Sequence, residues 1–77
     1  MATTLTKTAQ TYPPALREES GSKVGWRHYT TQAEAKVAAQ VALREAEQLE
    51  ALGYDWGYQS PGQITVAADG TYCVCVP

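Results

Sequence analysis

The chain of 77 residues has few of the side chains that enzymes and nucleic-acid-binding proteins require. It contains one histidine, two cysteines and no phenylalanine, and only 18% of its residues are charged. Because 6 Lys and Arg stand against 8 Asp and Glu, the chain lacks the cationic excess that sequence-independent binding to nucleic acid requires. So few titratable groups also leave little with which to build an active site. We therefore expect a protein that is not an enzyme and does not bind duplex nucleic acid.

The sequence also lacks the features of membrane-inserted and exported proteins. No apolar run approaches the roughly 18 residues of a membrane-spanning helix, and the N-terminus lacks the charged-then-apolar pattern of a secretory signal. Cys73 and Cys75 are two residues apart, which in a strand separates their Cα atoms by about 6.5–7 Å, at or beyond the disulfide range. We therefore predict free thiols and a cytoplasmic protein.

The chain length allows one small domain, preceded by a segment of different composition. Residues 1–23 contain five threonines, a Pro-Pro pair and a short polar run, and they offer few groups to bury. We predict a flexible or partly docked segment, with its first ten residues mobile. In the docked alternative, Tyr12 and Leu16 pack on the domain while the two prolines fix the backbone. Residues 24–77 are predicted to form a compact α+β domain.

One helix is predicted, and both of its ends are marked in the sequence. Thr31 and Glu34 have the spacing of a capping box, and Gly53 is suited to the left-handed position that ends many helices. Residues 32–52 between them place small and aliphatic side chains on one stripe. This stripe consists of Ala35, Ala38, Val41, Ala42, Ala46, Leu49 and Leu52.

Four strands are predicted around this helix, in the order β-α-β-β-β. Side-chain alternation indicates strands over 24–29, 54–59, 64–67 and 71–76. In the second of these, Tyr54, Trp56 and Tyr58 form an aromatic face that supplies the bulk the alanines lack. The run Ser60-Pro61-Gly62-Gln63 has the composition of a type II turn. These elements predict an α+β fold with one long helix packed on one face of a mainly antiparallel sheet.

The loop between the last two strands decides which side chains share a face. With three loop residues, Ala68-Asp69-Gly70, Val66 faces Tyr72 and Ile64 faces Val74. A two-residue turn would instead place Ile64 and Val66 with the cysteines and divide the apolar side chains between the faces. We therefore predict the three-residue loop, with its glycine in the left-handed conformation and both cysteines on the face away from the helix.

The candidate chemical groups do not complete a recognisable site. His28 is a candidate general base, but no motif places a nucleophile beside it, and the alternative is a packed strand histidine. Cys73 and Cys75 together with His28 supply three ligands where a structural zinc site takes four. No metal or cofactor is therefore predicted, and a redox or intersubunit role for the thiols stays an alternative.

The polar face of the helix carries a candidate partner-binding patch. Leu43 is an apolar residue on an acidic surface formed by Glu47 and Glu50. Tyr58, beside the rigid proline-glycine turn, and Arg27 on the first strand are further candidate contacts. We predict these five residues as the partner-binding set, the alternative being an ordinary solvated face and simple turn chemistry.

Glu45 falls within the apolar stripe, where an unpaired carboxylate is costly to bury. One interpretation places it at the margin of the sheet, in reach of water. The other gives it an ionic contact that orders the N-terminal segment or meets a partner, with Arg17 and Arg27 as available cations.

The absence of catalytic, phosphate-binding and complete metal motifs favours a binding module. We expect a small adaptor or inhibitor of a larger protein, and by analogy of size alone a phage or mobile-element accessory protein. Two alternatives stay open. The first is a self-associating structural protein, a homo-oligomer formed through an edge strand or the outer sheet face. The second is weak single-stranded nucleic-acid binding through Arg27, His28 and Tyr29, although alternation sends Trp26 and Tyr29 to opposite faces.

Overall fold

The computed structural model describes residues 11–77, which form one helix packed on one face of an antiparallel sheet. The elements are β1 (Arg17–Ser20), β2 (Gly25–Tyr29), α1 (Gln32–Ala51), β3 (Ile64–Val66) and β4 (Tyr72–Val76). The strand order is β1-β2-β4-β3, and every neighbouring pair is antiparallel. The predicted fold class is therefore confirmed. Within the described range, no helix has the length and hydropathy needed to cross a membrane.

Hydrogen bonds between residues close in sequence define both ends of α1. The backbone N–H of Glu34 donates to Thr31 Oγ1 at 3.2 Å, and the Thr31 hydroxyl donates to the Glu34 carboxylate at 2.9 Å. At the other end Gly53 has φ 98°, and the N–H of Tyr54 donates to the carbonyl of Leu49 at 3.1 Å, which is the Schellman pattern. Both predicted ends are confirmed to within one residue because each depends only on neighbours in sequence.

The core lies between the alanine stripe of α1 and the sheet. Tyr29 and Val74 are the largest fully buried side chains. Around them pack Ala35, Ala38 and Ala39, with Tyr12, Ala15, Ile64, Tyr72 and Val76 at the margin. A second cluster joins Val24, Ala46, Trp56 and Cys75, with Trp26 and Leu49 at its margin. Leu52, predicted in the stripe, is instead 77% exposed because as C-cap residue it leaves the helical geometry.

No strand forms over residues 54–59, where alternation predicted one. The N–H of Gly57 donates to Asp55 Oδ1 at 2.9 Å, Gly57 has φ 66°, and a second turn closes on the carbonyl of Trp56 at 3.1 Å. The segment therefore turns twice instead of extending. Trp56 is buried as expected, but the two tyrosines that flank it are exposed and do not fill the core.

The first strand comes from the segment predicted to be flexible or partly docked. β1 pairs with β2 along its whole length, and the N–H of Gly21 donates to the carbonyl of Val24 at 2.7 Å to close the hairpin. The sheet therefore starts at Arg17, and the element order is β-β-α-β-β. The tail predicted to be mobile, residues 1–10, lies outside the described residues.

The hairpin of β3 and β4 has the predicted three-residue loop. Val66 lies opposite Tyr72 and Ile64 opposite Val74, and Gly70 has φ 87°. The large apolar side chains are gathered on the helix side, so the predicted register is confirmed. The register follows from this loop because a one-residue change would move every side chain to the other face.

Candidate functional site

Residues 12–16, called the N-terminal strap here, lie against the helix–sheet core. The Tyr12 hydroxyl donates to Glu45 Oε1 at 2.6 Å, and the Arg27 guanidinium sits over the Tyr12 ring at 4.9 Å from its centroid. The carbonyl of Pro13 accepts from the Tyr29 hydroxyl at 3.0 Å and from Arg27 at 3.2 Å. The strap is thus held by one helix and by the central strand β2.

Glu45 contacts the N-terminal segment, as the second interpretation expected, but through a hydrogen bond and not through an ion pair, and it stays half-buried. Its partner is the phenol of Tyr12 and not one of the arginines. Partial burial, reinforced by the hydrogen bond to Glu45, raises the pKa of Tyr12, so this hydroxyl stays protonated and remains a donor at neutral pH. Of the two side chains predicted to dock, Tyr12 packs on the core whereas Leu16 is 60% exposed.

Arg27, a predicted partner contact, is engaged within the chain. Its guanidinium pairs with Glu18 at 3.1 Å and donates to the Tyr29 hydroxyl at 2.9 Å, and its side chain is 17% exposed. Tyr29 itself is buried. This geometry uses Arg27 and Tyr29 to hold β1 and the strap, and it offers neither residue as a platform for stacked bases.

His28 is buried in a closed ring of polar contacts on the sheet face opposite the helix. Its Nδ1 lies 3.0 Å from Thr71 Oγ1 and its Nε2 3.2 Å from Glu19 Oε1. The Thr71 hydroxyl donates to Asp69 Oδ1 at 2.7 Å, Arg17 donates to Asp69 at 2.5 Å, and Arg17 lies 4.0 Å from Glu19. We call these five residues the polar ring.

The polar ring has the geometry of a structural clamp. The Arg17 guanidinium, followed by the Thr71 hydroxyl and N–H, holds the pKa of Asp69 well below its usual range. His28 is 3% exposed and Thr71 7% exposed, so neither presents a free atom to a substrate. Both imidazole nitrogens already have partners, which matches the packed-histidine interpretation better than that of a general base.

The two cysteines lie on the same face as the polar ring, and both are buried and unpaired. Burial raises the pKa of each thiol, so the reactive thiolate is disfavoured. Among residues 11–77, no group of three or more His, Cys, Asp or Glu side chains is placed to hold a metal ion. Their surroundings are those of small packed side chains.

The end of α1 and the turn segment after it, residues 52–58, are called the aromatic loop here. Leu52 is 77% exposed, Tyr54 59% exposed, and Tyr58 fully exposed. Trp56 anchors the loop, because its ring is buried and its Nε1–H donates to Glu50 Oε2 at 2.9 Å. Tyr54 stacks on Trp56 with ring centroids 6.0 Å apart. A buried anchor therefore supports three exposed apolar side chains.

A groove of about 330 Å³ lies beside the aromatic loop. Its apolar lining consists of Leu49, Tyr54, Trp56 and Pro77, and Lys23 and Asp55 also line it. The Trp56 ring is shared between this groove and the second core cluster. The groove thus opens directly onto packed core.

The end of α1 beside the aromatic loop is negative, whereas Lys23 lies on the other side of the loop, with its Nζ 3.5 Å from the Cβ position of Gly57. Glu47 is exposed, Glu50 is exposed beside Trp56, and the last turn of α1 has no basic residue. The negative end of the helix dipole falls at the same place. None of the ion pairs formed by residues 11–77 includes Glu47 or Glu50. These carboxylates therefore interact unfavourably with the negative end of the helix dipole, whereas a cation bound there would interact favourably.

Leu43 is half covered by the turn that follows the aromatic loop. The turn Ser60–Gln63 has the predicted type II form, since the N–H of Gln63 donates to the carbonyl of Ser60 at 3.0 Å and Gly62 has φ 92°. A Cβ on Gly62 would lie 2.5 Å from Leu43 Cγ. Leu43 therefore packs on this turn and keeps 48% exposure.

The structure brings together part of the predicted partner-binding set. Leu43, Glu47 and Glu50 follow one another by about one turn along one side of α1 and lead to the aromatic loop that carries Tyr58. Arg27 lies apart, beneath the strap. Sequence reasoning missed Leu52 and Tyr54, which it assigned to the core.

Comparisons of the chain with models of protein families, with curated proteins and with solved structures find no match. The surfaces described above are therefore the basis for a functional inference. Among them, the aromatic loop combines exposed aromatic side chains with a buried anchor, and it adjoins two carboxylates that form no ion pair within residues 11–77. Exposed apolar side chains held in place are common in protein-binding surfaces.

Proposed function

We propose that this protein is a binding module that acts as an adaptor or inhibitor of a larger protein, and that it makes contact through the aromatic loop. The observation that carries the proposal is the exposure of Leu52, Tyr54 and Tyr58 on a segment that buried Trp56 holds in place. Burying one large apolar side chain stabilises a complex by about 1.5–3 kcal/mol. Tyrosine is enriched among the residues that dominate binding energy, partly because it has few rotamers to lose.

The charge around the loop supports a partner with a cationic rim. Glu47 and Glu50 have no ion-pair partner within residues 11–77, and the helix dipole adds to their potential. The helix end with these two carboxylates repels phosphate groups, which disfavours anionic lipid and nucleic acid as partners there. Lys or Arg side chains on a protein would be attracted and would speed the encounter.

Leu43 extends the same surface along α1. It lies one turn before Glu47, and the turn that packs on it limits its rotamers. The proposed contact therefore runs from Leu43 through the two glutamates to Tyr58. Arg27 takes no part in it.

The test is a comparison of matched variants in a pull-down from the source cell, with identification of the retained protein and a titration against it. Tyr58→Ala and Leu52→Ala remove exposed side chains and are expected to weaken binding at least fivefold each, as a loss above about 1 kcal/mol implies. Glu47→Lys and Leu43→Asp are expected to weaken it as well. Equal retention by all four variants would exclude this surface.

Val37→Ala is the matched control. Val37 is 51% exposed on α1 but lies 14 residues before Ala51, the last residue of the helix (51 − 37). Its truncation removes a comparable apolar surface away from the aromatic loop. Binding is expected to be unchanged, and an equal loss in this variant would contradict the proposed location.

A further inference from the structure

β3 forms an open edge of the sheet. The N–H of Ala67 donates to the carbonyl of Thr71 at 2.8 Å, and the N–H of Cys75 donates to the carbonyl of Gln63 at 3.0 Å. Residues 63, 65 and 67 therefore face β4. Because hydrogen bonding alternates along an antiparallel strand, the N–H and C=O groups of Ile64 and Val66 point away from the sheet. Val66 is also 68% exposed.

The two edges of the sheet differ in how they resist pairing. β1 carries Arg17, Glu18 and Glu19, and two copies of it in full antiparallel register would place Glu18 opposite Glu19 of the other copy. Like charges directly opposite each other destabilise a strand pair. β3, with the sequence Ile-Thr-Val, has no charge and no proline. It thus lacks the devices by which proteins usually protect an edge, apart from its short length.

The geometry points to a second copy of this chain as the occupant of this edge, with β3 pairing to β3 around a twofold axis at Thr65. Ile64 then lies opposite Val66 of the second copy, and each donates its outward N–H to the other's carbonyl. Thr65 lies opposite Thr65 of the second copy. Pairs of β-branched residues and of threonines are among those that stabilise antiparallel sheets. The contact is self-complementary, as a twofold interface requires.

The length of β3 sets the strength of this association. Three residues per strand bury much less than the roughly 1,200–2,000 Å² of a stable interface. We therefore expect a dissociation constant of about 0.1–1 mM, with the dimer populated only at high protein concentration. Tyr58 of the aromatic loop lines the same small cavity as Thr65, so the two surfaces adjoin. The pairing itself uses only residues of β3, so the inference does not depend on the proposed function.

Sedimentation equilibrium of the whole chain, with a reductant present to prevent disulfide formation, measures the dimer directly. The average mass is expected to rise above 8.3 kDa as the concentration increases from about 10 µM to about 2 mM. A mass that stays at the monomer value over this range would overturn the inference.

Charge exchange at Thr65 tests the axis. Thr65→Lys and Thr65→Glu each oppose like charges across the proposed twofold axis, so each variant alone is expected to dimerise at least fivefold more weakly. An equimolar mixture opposes Lys to Glu and is expected to recover the wild-type mass. Undiminished dimerisation of the single variants, or a mixture that shows no recovery, would overturn the pairing.

Two controls separate pairing from folding. Thr30→Lys adds the same charge at an exposed position outside the sheet and is expected to dimerise as the wild type does. Val37→Ala, at a position on α1 that is 51% exposed, is also expected to leave the mass unchanged. Thermal unfolding of each variant shows whether the monomer is intact, and the mixture experiment is decisive because it restores association without restoring the native residue.

Discussion

Replacing Gly62 by alanine tests whether the Ser60–Gln63 turn is pressed against α1. Gly62 has φ 92°, and an added Cβ would lie 2.5 Å from Leu43 Cγ and 3.3 Å from the carbonyl oxygen of Ala39. Gly70 provides the matched control. Its φ is 87°, and nothing lies within 4 Å of its Cβ position. The two glycines thus have nearly the same φ and differ in what an alanine would meet.

The expected cost follows from two contributions. A left-handed conformation costs an alanine about 1–2 kcal/mol, and the lower entropy of the unfolded chain offsets about 0.4–1 kcal/mol of it. Gly70→Ala should therefore destabilise the protein by about 1 kcal/mol. Overlap in a packed region adds about 1–3 kcal/mol. Since Leu43 is half exposed and can turn outward, we take the lower figure and expect Gly62→Ala to cost about 2 kcal/mol.

Urea unfolding followed by tryptophan fluorescence measures both values. Adding Leu43→Ala to Gly62→Ala removes the side chain that the new methyl group meets, so the double-mutant cycle should show a coupling of about 1 kcal/mol. Adding Leu43→Ala to Gly70→Ala should show none. Equal costs for Gly62→Ala and Gly70→Ala, or a coupling near zero, would refute the contact between the turn and the helix.

Three further predictions concern the groups that hold the chain together. Tyr12→Phe keeps the ring but loses the hydrogen bond to Glu45, so urea unfolding should show a loss of about 1 kcal/mol, with Tyr54→Phe as an exposed control. The fold lowers the pKa of Asp69, so this carboxylate stabilises the protein above its unfolded pKa of about 3.9, and the stabilisation is lost as the pH falls below that value. Asp69→Asn should therefore reduce the slope of the free energy of unfolding against pH in the acid range. An unchanged slope would count against the polar ring. The two buried thiols should react with a thiol reagent much more slowly in the folded protein than in urea, and equal rates would contradict their burial.

The helix and the β3–β4 hairpin could be predicted because their determinants are close in sequence. The capping box at Thr31, the glycine after the helix and the three-residue loop each act through neighbours within a few residues. Register then follows from side-chain alternation once the loop length is known. These elements needed no information about the rest of the molecule.

β1 could not be predicted, and the docking of the strap stayed one of two alternatives, because their determinants are distant in sequence. Arg17 contacts Asp69 across 52 positions, and Tyr12 contacts Glu45 across 33. The strand has no apolar face, so neither periodicity nor propensity distinguishes it from a loop. Two features indicated that the N-terminal segment meets the domain: the apolar residues Tyr12 and Leu16 beside the two prolines, and Glu45 in the apolar stripe.

The aromatic loop exists because residues 54–59 do not form the strand that their alternating aromatic side chains predict. A tyrosine, a tryptophan and a tyrosine at every second position predict one buried face, and Trp56 does enter the core. Asp55 and Gly57 break the strand, since the aspartate side chain captures the glycine N–H and the glycine adopts a positive φ. Freed from a sheet, Tyr54 and Tyr58 no longer share the buried side with Trp56. The same pattern that suggested three core residues thus yields one anchor and two exposed aromatic side chains, which is why the surface we propose for partner binding lies here and not on the strand bearing Arg27.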